Sequence, residues 1–420
     1  MEKINTVKGT HDLFGEDQTE YDRIIKIFEN CCKIFDYQKI STPIIEYSKV
    51  FQKTLGSTTD IVSKEMYSFE DIGGDKITLR PEGTAPVTRA IISNSLNEQI
   101  NQKFYYYGPM FRRERPQAGR LRQFHQFGVE IINSDSIFSD LENILVAEKI
   151  LKKLEIRDMV HLQINTLGTL DCRKRFTVDL TKYFNKFRSD LSTYSKIRLE
   201  KNVMRILDSK DEKDKILAKE APKILNYLDK KSLQNYENIK FKLEELNINF
   251  SENINLVRGL DYYNHTAFEY VLKNKSGQNT ILAGGRYDGL SKLIGGKEMS
   301  GVGWAAGIER IKMLVNSVNK IEQKNKISIF STDEKLNIET LRVANHLSLI
   351  SNIRLHCFFT GSLKKKMSKA DKIFSNYALI LGEEEFSQKY VILKDLQSGD
   401  QKKIHLENIF DHIKELFSET

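Results

Sequence analysis

Five arginines lie close together in FRRERPQAGRLRQF, residues 111–124, where Glu114 is the single acid. Strand-like runs flank the segment and a Pro-Gln-Ala-Gly turn interrupts it, so the sequence predicts an antiparallel hairpin with a long basic loop. Residues 112 and 114 would share one face of such a strand. The planar guanidinium fork suits phosphate oxygens, which favours a phosphate-binding hairpin over a solvated charged one. The arginines are Arg112, Arg113, Arg115, Arg120 and Arg122.

The segment RGLDYYNHTAFE, residues 258–269, places a cation and two adjacent tyrosines ahead of a strand-like run. The alternation that follows predicts a buried strand. Three acids, in this segment and in two others, are embedded in apolar strand-like sequence, where an unpaired charge would be very costly. The acids are Glu82, Glu130 and Asp261, and their candidate partners are Arg80, Arg258 and an incoming cationic ligand.

Glycines dominate a third region, LAGGRYDGL at 282–290 and SGVGWAAGIERIKML at 300–314. Such glycines let the backbone approach a ligand or a packed helix, although a purely structural glycine strand remains the alternative. Arg310 follows early in a predicted helix. The phosphate-binding pattern GxxxxGK[ST] is absent from the sequence.

The composition limits the classes of protein to consider. The chain has 420 residues, 40% of them apolar, which is enough for two or three domains. Its net charge of +8 allows an anionic partner such as nucleic acid. Four cysteines without a CxxC pair and scattered histidines predict no protein-bound zinc. The N-terminal MEKINTVKGTHDLF lacks an apolar core, and apolar runs of membrane length are absent, so we expect a cytoplasmic protein without a membrane segment.

Helical and strand-like periods alternate unevenly along the first 320 residues. Residues 17–35 carry apolar side chains at helical spacing, and Pro43 interrupts regular structure after them. Short alternating runs dominate from about 75 to 170, the period is helical from about 170 to 250, and strand signals then return. The sequence therefore predicts a domain over 1–320 with a helical insertion at about 170–250.

A polar, apolar-poor stretch at 316–326 predicts a linker to a second domain. Beyond it, residues 326–420 alternate strand-like and helical segments in βαβα order. This order predicts a small α/β domain with a largely parallel sheet.

In order along the chain, three segments resemble the signature motifs of the class II aminoacyl-tRNA synthetases. The helix leading to Pro43 resembles motif 1, FRRER with its loop to Phe124 resembles motif 2, and GIER resembles motif 3. Within that class, RGLDYYNHTAFE, GGRYDGL, LRPEGTAP, TTDIVSKEMYSF and QFHQFGVE resemble blocks of the histidyl-tRNA synthetase family. The likeness covers residues 6 to about 312 and continues more loosely into the second domain.

The resemblance implies an α+β fold, with an antiparallel six-stranded sheet and flanking helices, a helical insertion, and a C-terminal α/β anticodon-binding domain. It also implies a homodimer in which Pro43 lies near the subunit contact. The implied enzyme is a histidine–tRNA ligase. The carboxylate of L-histidine attacks the α-phosphorus of ATP, which enters with Mg²⁺ and loses pyrophosphate, and the 3′-terminal adenosine of tRNA(His) then takes the histidyl group.

The same resemblance assigns roles around ATP. Arg258 matches an arginine that does work given to a magnesium ion in other class II enzymes, and Arg112 matches the arginine that clamps the α-phosphate. Both are candidate catalytic residues, because a preorganised guanidinium stabilises the charge that builds up in the transition state. The remaining ATP-binding candidates are Glu114 near the adenine, Phe124 stacked on it, Arg120 and, on the γ-phosphate, Arg310.

For histidine, the resemblance implies a polar pocket. A carboxylate and a phenol can satisfy both imidazole nitrogens, and such a pocket rejects apolar isosteres, so no editing domain is expected. The residues matched to the ammonium group are Glu82, Thr84 and Gln126. Those matched to the imidazole are Glu130 and Tyr263. Tyr262 and Tyr287 are matched to the lining of the pocket, and Arg258 is also matched to the amino-acid site.

Contacts with tRNA are predicted at basic residues beyond the matched ATP site. In KKKMSKADK, residues 364–372, the MSK resembles the ATP loop of class I synthetases, but the HIGH signature that works with it is absent from the sequence. The segment therefore predicts a basic helix face that is either solvated or in contact with the tRNA backbone. Arg115 and Arg120 would meet the acceptor stem or the pyrophosphate end of ATP. The tRNA candidates are Arg115, Arg122 and Lys366.

One alternative function belongs to a different class. The regulatory subunit of ATP phosphoribosyltransferase resembles this catalytic domain and senses histidine without catalysis, but it lacks the anticodon-binding domain and tends to lose the ATP arginines. The histidyl-like domain of a translation-initiation-factor kinase is disfavoured because the sequence has no HRD and DFG kinase motifs.

Overall fold

A computed structural model describes residues 3–56, 59, 61–96, 99–117, 119–273, 280–318, 325–351 and 353–417. The chain divides into two compact units, Met1–Lys320 and Ile321–Thr420. Most of the predicted linker, residues 319–324, lies outside the described residues.

The first unit contains eleven strands and ten α-helices in its described part. The strands are β1 Gln38–Lys39, β2 Ile45–Tyr47, β3 Tyr67–Glu70, β4 Lys76–Leu79, β5 Gln102–Phe111, β6 Gln123–Ile132, β7 Val160–Thr166, β8 Phe250–Glu252, β9 Asn264–Leu272, β10 Thr280–Arg286 and β11 Gly301–Gly307. The helices are α1 Glu16–Ile34, α2 Ser48–Thr54, α3 Thr84–Ser93, α4 Ile137–Lys153, α5 Leu170–Lys186, α6 Thr193–Lys201, α7 Glu212–Lys219, α8 Lys230–Glu245, α9 Leu290–Leu293 and α10 Ile308–Val318.

Eight of these strands form the main sheet, in the order β1-β5-β6-β11-β10-β9-β7-β8. The six inner strands, β5-β6-β11-β10-β9-β7, pair antiparallel throughout. Short parallel strands, β1 and β8, extend the two edges. The predicted α+β class and its six-stranded antiparallel sheet are confirmed, with one additional strand at each edge.

Alternation along β6 separates the core from the other face of the sheet. Phe127, Val129 and Ile131 are buried in the core that α1 covers, and the ring of Phe28 in α1 stacks on Phe127 at 4.4 Å between centroids. Because neighbouring residues on a strand point to opposite faces, Gln126 and Glu130 point away from α1.

Helices α5 to α8 occupy the stretch predicted to be a helical insertion. The buried carboxylate of Asp214, in α7, links that helix to α6, since it accepts hydrogen bonds from the hydroxyls of Ser192, Ser195 and Ser209 at 2.6 to 2.7 Å. Side chains of α5 to α7, among them Phe176, contribute to the hydrophobic core on the sheet face of Gln126, whereas the buried side chains of α8 belong to the core that α1 covers.

The second unit is a five-stranded sheet with helices, ordered β13-β12-β14-β15-β16. Its elements are β12 Lys326–Ser331, α11 Asn337–Leu347, β13 Arg354–Phe358, α12 Leu363–Lys372, β14 Tyr377–Leu381, α13 Glu383–Ser387, β15 Tyr390–Asp395, β16 Gln401–His405 and α14 Ile409–Leu416.

The prediction of a largely parallel sheet in this unit is wrong for its last two strands. Strands β13, β12 and β14 are parallel, but β14, β15 and β16 pair antiparallel. Five residues, 396–400, connect β15 to β16, and so short a connection permits only an antiparallel hairpin. In the part of the chain that the structure describes, no helix is long and apolar enough to cross a membrane.

Candidate active site

A cavity of about 220 Å³ opens on the sheet face opposite α1. Residues from α3, β6, β10, the basic loop, the loop before β9 and the first turn of α10 line it. It brings together most of the side chains predicted to bind ATP or histidine. These are Glu82, Thr84, Arg112, Glu114, Arg120, Phe124, Gln126, Arg258, Tyr262, Tyr263 and Arg310.

The basic hairpin differs from the predicted one in where its strand ends. Strand β5 ends at Phe111, so Arg112 and Glu114 lie in the loop and not on a strand face. Other contacts orient them. Nε of Arg112 donates to the carbonyl of Pro81 at 2.9 Å, and its guanidinium lies 5.3 Å from the ring centroid of Phe124. Oε2 of Glu114 pairs with Nη1 of Arg120 at 3.0 Å, which closes the loop.

Two further guanidinium groups face the same cavity. In α10, Arg310 donates to the carbonyls of Gly119 at 3.1 Å and Thr280 at 2.8 Å. Burial lowers the pKa of Arg310, and the neighbouring Arg120 lowers it further. Arg258 lies over the ring of Tyr263, 5.2 Å from its centroid, and is 15% exposed. These cations surround open space, as a phosphate-binding site requires.

Glu82 is held by a helix terminus and not by a cation. Its two carboxylate oxygens accept the backbone N–H groups of Thr84 and Ala85, each at 2.8 Å, at the start of α3. Burial raises the pKa of Glu82 despite these hydrogen bonds. The hydroxyl of Tyr262 is 3.5 Å from the carboxylate. The group therefore presents a buried acceptor to the cavity.

Glu130 lies beneath the cavity, fully buried. Oε1 accepts the hydroxyls of Thr84 at 2.7 Å and Tyr106 at 3.3 Å, and Oε2 accepts the hydroxyl of Tyr287 at 2.6 Å. Burial raises the pKa of Glu130 to about 8. Neither Arg80 nor Arg258 pairs with it, because Arg80 donates to the carbonyls of Pro109 and Thr42.

Tyr287 does not line the cavity, contrary to the prediction, because its hydroxyl is turned towards Glu130 and its ring is buried. Glycines of β11 make this arrangement possible. A Cβ atom at Gly303 would collide with the carboxylate of Glu130, and one at Gly301 with the ring of Tyr287. These glycines thus make room for pocket side chains.

The insertion supports the loop that carries Arg258. Asp261 accepts a hydrogen bond from Asn202 at 2.8 Å. Nη1 of Arg173, in α5, donates to the carbonyls of Asp261 at 3.1 Å and Tyr263 at 2.6 Å. The partner of this acid is therefore a residue of the insertion and not Arg80 or Arg258.

A larger cleft of about 700 Å³ adjoins the cavity and shares Arg112, Arg258 and Arg310 with it. The insertion contributes one wall. Among the described residues that line the cleft, nine are lysine or arginine and four are acidic. Such an excess of positive charge favours an anionic ligand.

The residues predicted to contact tRNA have different environments. Arg115 is exposed in the basic loop. Arg122 is partly buried, and its Nε lies 3.5 Å from the carbonyl of Glu114. The prediction for Lys366 is wrong in this structure, because its side chain is buried and its ammonium donates to the carbonyl of Ser331 at 2.9 Å. Lys364, Lys365, Lys369 and Lys372 are exposed on the same helix.

Several residues that organise the site are not singled out by any sequence motif. Tyr106 stands in the run KFYYYGPMF, where alternation signals a strand but does not show which tyrosine meets Glu130. Glu269 was visible as an acid at the end of the segment 258–269. Thr280, His125 and Glu309 carry no local signal, because their partners come from distant segments of the chain.

Comparison with known proteins shows the family of the chain. Residues 9–311 match the family described as Histidyl-tRNA synthetase, and residues 324–416 match the Anticodon binding domain. The chain is 41% identical over 404 residues to a Histidine--tRNA ligase of Gluconobacter oxydans, covering 96% of this chain and 97% of the relative. A second relative of that name, from Hydrogenovibrio crunogenus, is 41% identical over 408 residues and covers 96% of this chain and 95% of its own.

Solved structures show the same fold. The apo histidyl-tRNA synthetase of S. aureus matches with a TM-score of 0.80 and 29% identity, covering 98% of this chain and all (100%) of the other. An ATP phosphoribosyltransferase regulatory subunit/histidyl-tRNA synthetase from Bacillus halodurans shares the fold, with a TM-score of 0.65 and 19% identity over 91% of this chain and 98% of its own. The family match, the full-length relatives and the cavity together show that the chain belongs to the histidyl-tRNA synthetase family.

Proposed function

We propose that this protein is a histidine–tRNA ligase that forms histidyl-adenylate from L-histidine and ATP and then transfers histidine to tRNA(His). One observation carries the proposal. A single cavity holds the arginines matched to ATP, Arg112, Arg258 and Arg310, next to the acceptors matched to the histidine ammonium group, Glu82 and Gln126. The two substrates would thus meet in one space.

ATP would lie between the hairpin and α10. The adenine would stack on Phe124 by taking the face that the guanidinium of Arg112 now covers, or the face opposite to it. Arg112 would then hold the α-phosphate, while Arg120 and Arg310 lie at the pyrophosphate end. Carbonyl contacts fix Arg310 before the ligand arrives, so little ordering entropy remains to be lost on binding.

Histidine would bind with its ammonium group at Glu82, Thr84 and Gln126. Oε1 of Gln126 is buried and has no hydrogen-bond partner among the described residues, so a donor from the ligand would satisfy it. The imidazole would lie against Tyr262 and Tyr263. Glu130 would act on the imidazole from beneath, either directly after releasing one of its hydroxyl donors or through Thr84.

Arg258 would act in the chemical step. The attack of a carboxylate on the α-phosphorus increases the negative charge there, and a fixed guanidinium stabilises that charge more in the transition state than in the ground state. Bound Mg²⁺ would offset the charge of the β- and γ-phosphates. The described residues contain no cluster of three carboxylate, histidine or cysteine ligands, so Mg²⁺ would arrive with the nucleotide, held mainly by phosphate oxygens.

Two copies of the chain would form the active enzyme. Ile45, Tyr47 and Phe69 are exposed on one apolar face of the small sheet β2-β4-β3, next to Pro43. A second copy would cover this face, as the motif 1 resemblance implies. The second unit, which matches an anticodon-binding domain over 324–416, would bind the anticodon of tRNA(His).

Histidine-dependent ATP/pyrophosphate exchange, followed by charging of tRNA(His), tests the proposal. We expect exchange with histidine alone among the twenty amino acids, and charging of tRNA(His) alone. Histidine binding without exchange would instead support the non-catalytic regulatory paralogue.

A further inference from the structure

Glu269 occupies the floor of the cleft beside Arg258. On β9 its neighbours in sequence, Phe268 and Tyr270, are fully buried in the core, so alternation turns Glu269 to the opposite face. Its partners in strand register, Gln163 on β7 and Ala283 on β10, line the same cleft. Its side chain is 16% exposed. It is thus a nearly enclosed acid at the centre of a strongly cationic surface.

One carboxylate oxygen of Glu269 links two of the arginines matched to ATP. Oε2 accepts the hydroxyl of Thr280 at 3.0 Å and lies 3.7 Å from Nη1 of Arg258. The backbone carbonyl of Thr280 accepts Nη1 of Arg310 at 2.8 Å. A short chain of polar contacts therefore runs from Arg258 through Glu269 and Thr280 to Arg310.

Arg258 otherwise has few fixed contacts. Its Nε is buried and, within the described part of the chain, has no hydrogen-bond partner. Its guanidinium rests on the ring of Tyr263, a contact that sets its height above the ring but fixes its direction only weakly. The attraction of Glu269 supplies the direction. Without it, the guanidinium could turn towards Asp208 on the insertion side of the cleft.

From this geometry we infer that Glu269 is a positioning residue, which holds Arg258 and, through Thr280, Arg310 in one arrangement before ATP binds. The inference rests on the proposed function. In this role Glu269 would contact neither the α-phosphorus nor histidine. It acts by keeping Arg258 preorganised, and a misplacement of about 1 Å at such a group costs on the order of 10²-fold in rate.

A double-mutant cycle of Glu269→Gln and Arg258→Ala, measured by pre-steady-state formation of histidyl-adenylate, tests the inference. Glutamine keeps the shape and can still accept the hydroxyl of Thr280, but it does not attract the guanidinium. We expect Glu269→Gln to slow adenylate formation about 10- to 100-fold in the wild-type background and less than twofold in the Arg258→Ala background. Equal losses in both backgrounds would overturn the inference, because Glu269 would then act independently of Arg258.

Titration with Mg²⁺ in the same variants separates positioning from metal binding. If Glu269 ligated the metal of the nucleotide, the loss of its carboxylate would raise the Mg²⁺ concentration needed for half-maximal rate in both backgrounds. We expect no such increase in Glu269→Gln. Its appearance would assign Glu269 to the metal and overturn the positioning role.

Thr280 provides a second test if Glu269→Gln does not fold. Thr280→Val removes the hydroxyl but keeps the carbonyl bound to Arg310, and Thr280→Ser restores the hydroxyl. We expect Thr280→Val to slow adenylate formation severalfold and Thr280→Ser to recover most of the rate, whereas equal rates in the two variants would contradict the link. Glu298→Gln, at an exposed position, is the matched control. An inactive wild-type chain would refute the proposed function itself, whereas an active one with additive losses would refute only the role of Glu269.

Discussion

The carboxylate of Glu309 accepts the backbone N–H of His125 at 2.9 and 3.1 Å and lies 2.9 Å from Nδ1 of its ring. Phe124 and Gln126 flank His125 on β6, and Arg310 follows Glu309 in α10. One side chain therefore ties the strand that carries Phe124, the proposed adenine platform, to the helix that carries Arg310, the proposed γ-phosphate arginine. The two halves of the proposed ATP site cannot move apart without breaking these hydrogen bonds.

The first prediction follows from that tie. Glu309→Gln should weaken ATP binding about tenfold and histidine binding much less, because a hydrogen bond to a charged group contributes roughly 1.5 to 3 kcal/mol. Equilibrium binding of each substrate checks this. Asp17→Asn, which alters an exposed partner of Lys312 on the neighbouring surface, is the control. Equal weakening of both substrates would mean that Glu309 supports the whole fold.

The second prediction concerns Arg258. Arg258→Ala, and to nearly the same degree Arg258→Lys, should slow adenylate formation by on the order of 10²-fold or more while changing histidine affinity far less. Lysine keeps the charge but loses the planar guanidinium that rests on Tyr263. Rapid-quench measurement of adenylate checks this. An Arg258→Ala rate within threefold of wild type would exclude the proposed role.

The third prediction separates two arginines of the basic loop. Arg120 pairs with Glu114 and lines the cavity, whereas Arg115 is exposed. Arg115→Ala should leave pyrophosphate exchange nearly intact and slow the charging of tRNA(His), while Arg120→Ala should lower both. The two assays on the two variants decide the matter. A loss of exchange in Arg115→Ala equal to its loss of charging would place Arg115 in the ATP site.

The strands and the order of the motifs could be predicted from the sequence because their signals are local. Alternation in residues 102–111 and 123–132 specifies both strands and the face on which Gln126 and Glu130 lie. Two of the departures from prediction, in the second unit, have physical causes. Strand β16 is polar and mostly exposed, so it lacks an alternating apolar pattern. Lys366 belongs to a run of lysines, and only the packing of α12 against β12 shows which of them is buried.

The partners of the buried acids could not be predicted, because hydrogen bonds between distant segments leave no local signal. The sequence offers Arg80, Arg258 and an incoming cationic ligand as partners for these acids, since charge is the partner that a sequence displays most clearly. The structure satisfies Glu82 and Glu130 with backbone N–H groups and hydroxyls. The link from Glu269 to Arg310 is equally invisible, because it depends on the register between β9 and β10.

The fourth prediction is a pH dependence of stability. Burial raises the pKa of Glu130 from 4.5 to about 8, so between these values the folded state keeps a proton that the unfolded state releases. The stabilisation that the raised pKa represents is present below about pH 4.5 and is lost as the pH rises towards 8, by at most about 1.4 kcal/mol per pH unit. Glu130→Gln removes this titration. The free energy of unfolding of both proteins is measured with denaturant and without substrates. Between pH 5 and pH 8 the wild type should lose more of this free energy than Glu130→Gln does. Parallel pH curves for the two proteins would contradict the raised pKa.

The fifth prediction tests whether the unit Ile321–Thr420 serves tRNA and not the chemical step. The side chains that line the cavity all belong to the first unit, so a fragment of residues 1–320 should form histidyl-adenylate within about tenfold of the intact rate. It should also remain a dimer if the apolar face beside Pro43 is the interface. Because the fragment lacks the anticodon contacts and the exposed lysines of α12, its charging of tRNA(His) should fall by on the order of 10²-fold or more, which corresponds to roughly 3 kcal/mol.

Salt dependence distinguishes lost tRNA contacts from a damaged active site. Each phosphate contact makes affinity fall more steeply with salt, so the intact chain should show a steeper decrease in tRNA affinity with salt than the fragment. The rate of adenylate formation should show the same salt dependence in the intact chain and in the fragment. A soluble dimeric fragment that charges tRNA(His) as well as the intact chain would refute the anticodon-binding role. A fragment without adenylation would instead show that the second unit supports the active site.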